Sequence, residues 1–276
     1  MEHTLLLYKF VPLLKTIQSK RLIMKTSLLK VVLLLVAISL TNTLWAQNKP
    51  IKTTKYKYNT VHFPNSEDNS KSYTFKFNIE YFKNPAERSV EAKINHHIQH
   101  YFSLPNTENK SIKEVVKGII DAEVEDYMSY YNESPKDMPD YMLQYTLDMD
   151  LTYQGKHNKV YSFLLYFNTF TGGVHPMDNF ITLNYDDKTG QALVMDDIFK
   201  PDYQYKLSNL ILNKLDKEML FNKYTVDLPT QFTFKEEGIE FIYNRYEIAP
   251  YAAGPQYAFL TYKELEKLLK DKYIVK

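Results

Sequence analysis

The strands of this chain are predicted by alternation of apolar and polar residues. Residues 71–82 carry an aromatic or aliphatic side chain at every second position: Tyr73, Phe75, Phe77, Ile79 and Tyr81. A period of two is typical of a strand with one buried face. The same period recurs over 141–153, and the glycine within 154–158 indicates a turn into a strand over 160–168. We therefore expect a long hairpin here.

Shorter strands are predicted in the second half of the chain. Residues 179–185 and 191–195 flank a turn-forming stretch at 186–190, which predicts a second hairpin. Two further strands meet at 236–238, and another covers 257–260.

Apolar residues at helical spacing predict two helices between the first strand and the long hairpin. The first opens at Asn84 and Pro85, read as an N-cap and first turn, and carries its apolar face through 90–101. The second opens with the capping box 111–114 and ends before Pro135.

Two more helices are predicted towards the C-terminus. One spans 203–221 with Asp202 as its cap, and the other follows a second capping box at 261–264. Runs of strands interrupted by helices indicate an α+β fold of two closely packed subdomains, each a mainly antiparallel sheet covered by helices.

The N-terminal region has the order of a secretory signal peptide. Lys25 and Lys30 precede an apolar run over 31–40, and small and polar residues follow as far as Gln47. The run is about half of the roughly 20 residues that span a bilayer as a helix. We expect cleavage before about Gln47; a retained membrane anchor is the alternative.

Domain boundaries follow from these patterns. Residues 1–46 form the N-terminal extension and signal peptide, and Met24 is the expected translation start within them. An N-terminal domain is predicted over 47–168 and a C-terminal domain over 169–276, with the seam near 170–176.

Composition excludes several classes of function. The chain has no cysteine, so disulfides, thiol nucleophiles, cysteine zinc sites and a lipid-modified cysteine are all absent. Residues 1–46 hold six of the 34 basic residues and one of the 33 acidic ones, which leaves 28 basic, 32 acidic and a net charge of −4 for the remainder. A mildly acidic body argues against nucleic acid as a partner.

Two adjacent glycines mark the most unusual stretch. The chain has seven glycines, and two stand together in the sequence Thr171-Gly172-Gly173-Val174-His175-Pro176. Paired glycines predict a backbone shape that other residues resist, so this loop can bring backbone N–H groups and His175 up to a ligand. The alternative is a tight connection in which His175 contacts a neighbour.

A second shaped loop covers 246–254. It carries Tyr246, Pro250, Tyr251 and Gly254, which favour a turn over a strand. Tyrosine is enriched at interface cores, so the loop suits a recognition surface. Packing of the rings beneath a long loop is the alternative.

Three histidines lie in the first predicted helix. His96 and His100 stand four residues apart and face the same way, as metal ligands on a helix do, with His97 between them. Since no third ligand is indicated, we interpret them as a solvated helical face.

Adjacent carboxylates offer little support for acid–base chemistry. Neighbouring residues on a strand point to opposite faces, so the pairs at 186–187 and 196–197 are interpreted as turn and cap residues. The nucleophile elbow G-x-S-x-G does not occur in the sequence.

Several of these motifs in order resemble a known family. The loop 171–176, the 187–190 turn, the stretch 250–254 and the helix opening at 261–265 resemble the C-terminal domain of the RsiV/PdaC-like family. Residues 56–167 are similar in pattern to the N-terminal domain that accompanies it.

The resemblance implies an exported envelope protein. The family includes anti-sigma factors that bind lysozyme and peptidoglycan deacetylases with a separate catalytic domain. Neither a sigma-binding region with a spanning helix nor the deacetylase metal motifs occur in this sequence, so it resembles the accessory pair of domains standing alone.

Three hypotheses follow. The first is a non-catalytic binding module, periplasmic or secreted, without cofactor, metal or membrane anchor after cleavage, that binds a lysozyme-type protein or a peptidoglycan fragment. Its predicted binding residues lie in the two loops: Thr171, Gly172, Gly173, His175, Tyr246, Pro250, Tyr251 and Gly254. The second is an enzyme acting on cell-wall glycan with unidentified carboxylates, and the third is a structural envelope protein.

Overall fold

The computed structural model describes residues 51–65, 70–102 and 111–275. The predicted signal peptide, the start at Met24 and the cleavage near Gln47 lie outside the described residues. Within those three ranges, no helix is both long and apolar enough to cross a membrane.

A five-stranded sheet in the order β1-β2-β3-β4-β5 forms the first half of the described fold. Its strands are β1 Thr53–His62, β2 Ser72–Phe82, β3 Gln144–His157, β4 Val160–Thr171 and β5 Met177–Asp186. Neighbouring strands are antiparallel except β2 and β3, which are parallel. Parallel pairing requires a long crossover, and the two helices between these strands provide it.

These two helices, α1 Val90–Phe102 and α2 Ile112–Glu133, pack on one face of the sheet. The predicted alternation of β2 is confirmed from Tyr73 to Ile79, where every second side chain is buried, but it ends there, since Tyr81 is only half-buried and Phe82 is buried instead. Phe77 lies opposite Met149 of β3, and Met149 lies opposite Phe167 of β4. The helix-covered face is therefore a continuous apolar layer.

The predicted start of α1 is wrong. Asn84 has φ +46° and lies before the helix, which begins at Val90. Ser89 is the effective cap, since its Oγ accepts a hydrogen bond from the Ala92 N–H at 3.1 Å.

The two predicted capping boxes are confirmed. In α2 the Ser111 side chain accepts from the Glu114 N–H while Glu114 accepts from the Ser111 N–H. Thr261 and Glu264 make the same reciprocal pair.

A three-stranded antiparallel sheet forms the second half of the described fold. It contains β6 Gln231–Phe234, β7 Gly238–Tyr243 and β8 Gln256–Thr261, packed with the short helices α3 Met195–Ile198, α4 Gln204–Leu212 and α5 Tyr262–Leu265. Short 3-10 turns cover Asp140–Leu143, Lys217–Met219, Tyr251–Ala253 and Asp271–Tyr273. The predicted α+β class with mainly antiparallel sheets is confirmed.

Two predictions in this half are wrong. The second hairpin is reduced to one bridge, Tyr185 with Ala192, because the chain enters α3 at Met195. The predicted 203–221 helix ends at Leu212, and Asp202 does not cap it but adopts φ +61°.

Buried polar side chains join the two sheets. Asn184 of β5 accepts from the Ser162 hydroxyl at 2.7 Å and donates to the Phe232 carbonyl of β6 at 2.7 Å. Gln231 accepts from the Thr182 N–H at 2.7 Å. Hydrogen bonds as well as apolar packing therefore fix the position of the second sheet.

The predicted boundary between residues 168 and 169 lies inside β4. The predicted seam at 170–176 covers the end of β4 and the connection to β5. A division into two domains there stays a prediction.

Candidate functional site

The two loops predicted to bind a ligand lie against each other. The His175 ring stacks on the Tyr251 ring with 3.8 Å between centroids and an interplanar angle of 21°. The Tyr251 hydroxyl donates to the Pro176 carbonyl at 2.8 Å. Residues 171–176 and 246–254, called the loop pair below, therefore form one surface.

An ion pair at the base of the loop pair was not found from the sequence. Arg245 donates through Nε and Nη2 to the Asp178 carboxylate, and the Nη2–Oδ2 distance is 3.3 Å. Its Nη1 donates to the Tyr251 carbonyl at 2.7 Å, and its Cζ lies 4.3 Å from the centre of the Tyr251 ring. The hydrogen bond to Asp178 raises the pKa of Arg245. One guanidinium thus links the start of β5, two residues after the first loop, to the second loop.

The paired glycines adopt the special backbone that was predicted. Gly172 has φ +81° and Gly173 has φ +102°, in the region that favours glycine. A side chain at Gly172 would place its Cβ 2.5 Å from the Met142 carbonyl oxygen, whereas the space beside Gly173 is open. Val174 at the tip is 98% exposed. The loop is therefore close-packed at its base and open at its tip.

The remaining predicted site residues lie at the edges of the loop pair. Tyr246 has φ +67°, is 50% exposed, and places its ring centre 5.7 Å from that of Tyr251. Pro250 precedes the 3-10 turn and Gly254 ends it. Thr171 is the exposed last residue of β4.

Aromatic side chains continue from the loop pair across the sheet edge. The Tyr166 and Phe180 rings lie 5.3 Å apart, and the Phe180 and Tyr257 rings lie 6.1 Å apart. Tyr257 is 46% exposed. These residues were also missed, because no local motif connects positions on β4, β5 and β8.

One carboxylate of each adjacent pair has the turn or cap role predicted for it, while Asp187 pairs with Lys156 and Asp196 accepts from the Tyr203 hydroxyl. Asp186 accepts from the Lys188 and Thr189 N–H groups, each at 2.9 Å, and so builds a turn. Asp197 accepts from the Val194 N–H at 3.0 Å at the start of α3.

Comparison with known proteins finds a family match in the second half of the fold. Residues 196–263 match a family model described as "Protein of unknown function (DUF3298)". The chain is 26% identical over 188 residues to the peptidoglycan-N-acetylmuramic acid deacetylase PdaC of Bacillus subtilis, a match that covers 63% of this chain and 39% of that protein.

Two solved DUF3298 family structures share the fold. The Bacteroides fragilis protein has a TM-score of 0.70 at 20% identity over 80% of this chain and 94% of its own. The Pseudomonas aeruginosa protein has a TM-score of 0.54 at 17% identity over 83% and 99%.

These comparisons support a PdaC-like family. The chain spans about two fifths of the length of PdaC, since the match covers 39% of that protein. The matched range 196–263 includes Arg245 and the 246–254 half of the loop pair, while the 171–176 half lies outside it. The resemblance to RsiV stays a prediction.

Proposed function

We propose that this protein is a non-catalytic binding module of the cell envelope and that the loop pair binds a lysozyme-type protein. The observation that carries the proposal is the His175–Tyr251 stack with the Tyr251–Pro176 hydrogen bond. These contacts fix two distant loops so that Val174 and Tyr246 are exposed on the same surface.

The chemistry of the loop pair suits protein recognition. Tyrosine and arginine are enriched where interfaces are buried most deeply, and a few such residues supply most of the binding energy. Loops that are already ordered lose less entropy on binding. The bonds from Arg245 to Asp178 and to the Tyr251 carbonyl supply that order.

Location in the envelope is supported by the similarity to PdaC. The name of that relative describes action on peptidoglycan. Its deacetylase activity is not part of this proposal, because the match covers 39% of that protein. The predicted signal peptide would deliver the chain to the same compartment.

Charge favours a basic partner. The chain from Gln47 onwards has a net charge of −4, so a strongly basic lysozyme would be attracted and its binding would weaken as salt rises. A peptidoglycan fragment, the second partner considered, carries both carboxylates and amino groups on its stem peptide, so its binding should depend less on salt than that of a strongly basic protein.

Calorimetry with purified lysozyme at moderate salt tests the proposal. Tyr246→Ala should weaken binding at least about tenfold, as expected for an interface tyrosine. Tyr58→Ala is the matched control, since Tyr58 is 42% exposed on β1, at the opposite edge of the five-stranded sheet. Gly173→Val and Tyr251→Ala, checked for native folding, test the loop geometry.

Two results would reject parts of the proposal. Absence of saturable binding by the wild type rejects lysozyme as the partner. Equal losses in Tyr246→Ala and Tyr58→Ala would instead reject the loop pair as the surface.

The enzyme hypothesis has its own test. The protein is incubated with purified peptidoglycan, and released muropeptides and acetate are measured. Turnover that is abolished by replacing a single Asp or Glu would overturn the non-catalytic proposal.

A further inference from the structure

A cleft of about 690 Å³ lies between α1 and the turn that follows β5. Lys93, His96, His97 and His100 line one wall, and residues 189–192 line the other. A cleft of this volume is within the range that binds small molecules. The loop pair lies at the other end of β5, a ten-residue strand, and so roughly 30 Å away at about 3.3 Å per residue. The cleft is therefore a separate feature.

The buried hydroxyl of Tyr185 fixes the orientation of one histidine. Tyr185 is fully buried, and its hydroxyl lies 3.1 Å from His97 Nδ1. Burial raises the pKa of Tyr185, so the hydroxyl keeps its proton. A buried hydroxyl proton without an acceptor is costly, and donation to Nδ1 satisfies it. On this argument we assign the proton of His97 to Nε2, the other ring nitrogen.

The cleft is rich in donors and has no carboxylate among its lining residues. Lys93 contributes an ammonium group, and the exposed His96 and His100 contribute ring N–H groups. Burial, with His100 and His96 nearby, lowers the pKa of His97 and so favours its neutral ring.

The acidic residues of the neighbouring turn are already paired. Asp186 contacts Lys272, and Asp187 lies 2.9 Å from Lys156. The same turn carries Lys188. Around the cleft, therefore, positive charge is in excess although the chain from Gln47 onwards is net negative.

We propose that this cleft binds a small molecule or peptide group that carries an oxyanion, a carboxylate or a phosphate. Lys93 supplies positive charge, and the rings of His96, His97 and His100 donate hydrogen bonds. With Nδ1 accepting from Tyr185 and the proton on Nε2, His97 itself offers no free ring lone pair to a metal ion. In the described residues, no group of three His, Cys, Asp or Glu is arranged to hold a metal ion.

Nuclear magnetic resonance of the histidine rings tests the proposal, with inorganic phosphate and succinate as the probes that distinguish the two sources of oxyanion. Either or both should shift the signals of His96, His97 and His100 saturably.

Variants locate the site. The double variant His96→Gln with His100→Gln should lower affinity for the anion at least about tenfold, because it removes two of the three rings that line the cleft. His157→Gln, on β3 outside the cleft, is the control and should leave affinity unchanged.

Four results would overturn the proposal. They are the absence of saturable shifts with both anions, equal affinity in the double variant and the wild type, a proton on Nδ1 of His97, and zinc binding at the three rings without anion binding. None of them bears on the loop pair, whose test uses lysozyme.

Discussion

Replacing Asn184 with alanine tests how the two sheets are held together. Asn184 is 3% exposed, accepts from the Ser162 hydroxyl and donates to the Phe232 carbonyl, each at 2.7 Å. The Ser162 Oγ in turn accepts from the Phe234 N–H at 3.4 Å. The substitution removes both hydrogen bonds of Asn184 and leaves Ser162 and Phe232 without these partners in a buried region.

The magnitude follows from those contacts. Each hydrogen bond contributes about 1 kcal/mol net, and a buried group left unsatisfied costs about 1 to 3 kcal/mol. We expect a loss of about 3 kcal/mol in the free energy of unfolding. At about 2 to 4 °C per kcal/mol for a chain of this size, Tm should fall by about 6 to 12 °C.

Urea unfolding of the chain from Gln47 measures this loss. Trp45 is the only tryptophan, so fluorescence reports tyrosine, and far-ultraviolet circular dichroism reports the backbone. Because the network joins the sheets, the wild type should unfold in one transition by both probes. Asn59→Ala, at an exposed position on β1, is the control and should change stability by less than about 0.5 kcal/mol.

A double-mutant cycle completes the test. Ser162→Ala and Asn184→Ala should couple by about 0.5 to 3 kcal/mol. A loss below about 1 kcal/mol in Asn184→Ala, or two separate transitions in the wild type, would refute the reasoning.

Three further predictions concern export, acid stability and backbone strain. N-terminal sequencing of the exported protein should begin near Gln47, and an intact chain in the membrane fraction would contradict this. Burial alone would raise the pKa of Asp186, but hydrogen bonds from Lys272 and the turn amides outweigh it and lower the pKa from 3.8 to about 2. The resulting stabilisation of the folded state, about 2 kcal/mol, is present above about pH 4 and is lost as the pH falls towards 2. Asp186→Asn should therefore reduce the loss of stability in acid, and an unchanged loss would contradict the assignment. Gly173→Ala should lower the free energy of unfolding by about 1 to 3 kcal/mol because of backbone strain at φ +102°. Gly172→Ala should lower it by about 1 to 3 kcal/mol more, because its Cβ would meet a backbone carbonyl. Equal Tm values in the two variants would contradict the packing argument.

The positions of the predicted site residues were foreseen in part. The glycines at 172–173 and the turn residues at 250–254 stand out locally, because an unusual backbone requires particular residues at those positions. The contact between the two loops was not foreseen. Tyr251 and Pro176 are 75 positions apart, and Arg245 and Asp178 are 67 apart. A single sequence carries no signal that pairs residues at such separations.

The sequence by itself determined the elements whose cause is local. The period of two over 71–82 predicts a strand because alternate side chains face opposite sides. The boxes at 111–114 and 261–264 predict helix starts because both partners lie within four residues.

Only the tertiary structure decided features whose partners are distant. The bridge from Asn184 to Phe232, the hydroxyl of Tyr185 against His97, and the ion pair of Arg245 with Asp178 all join elements far apart along the chain. Burying a polar group costs free energy unless it finds a partner, and these groups find theirs only when the sheets and helices pack. The pattern along the chain specifies which faces are buried, but which polar groups meet there depends on register and packing.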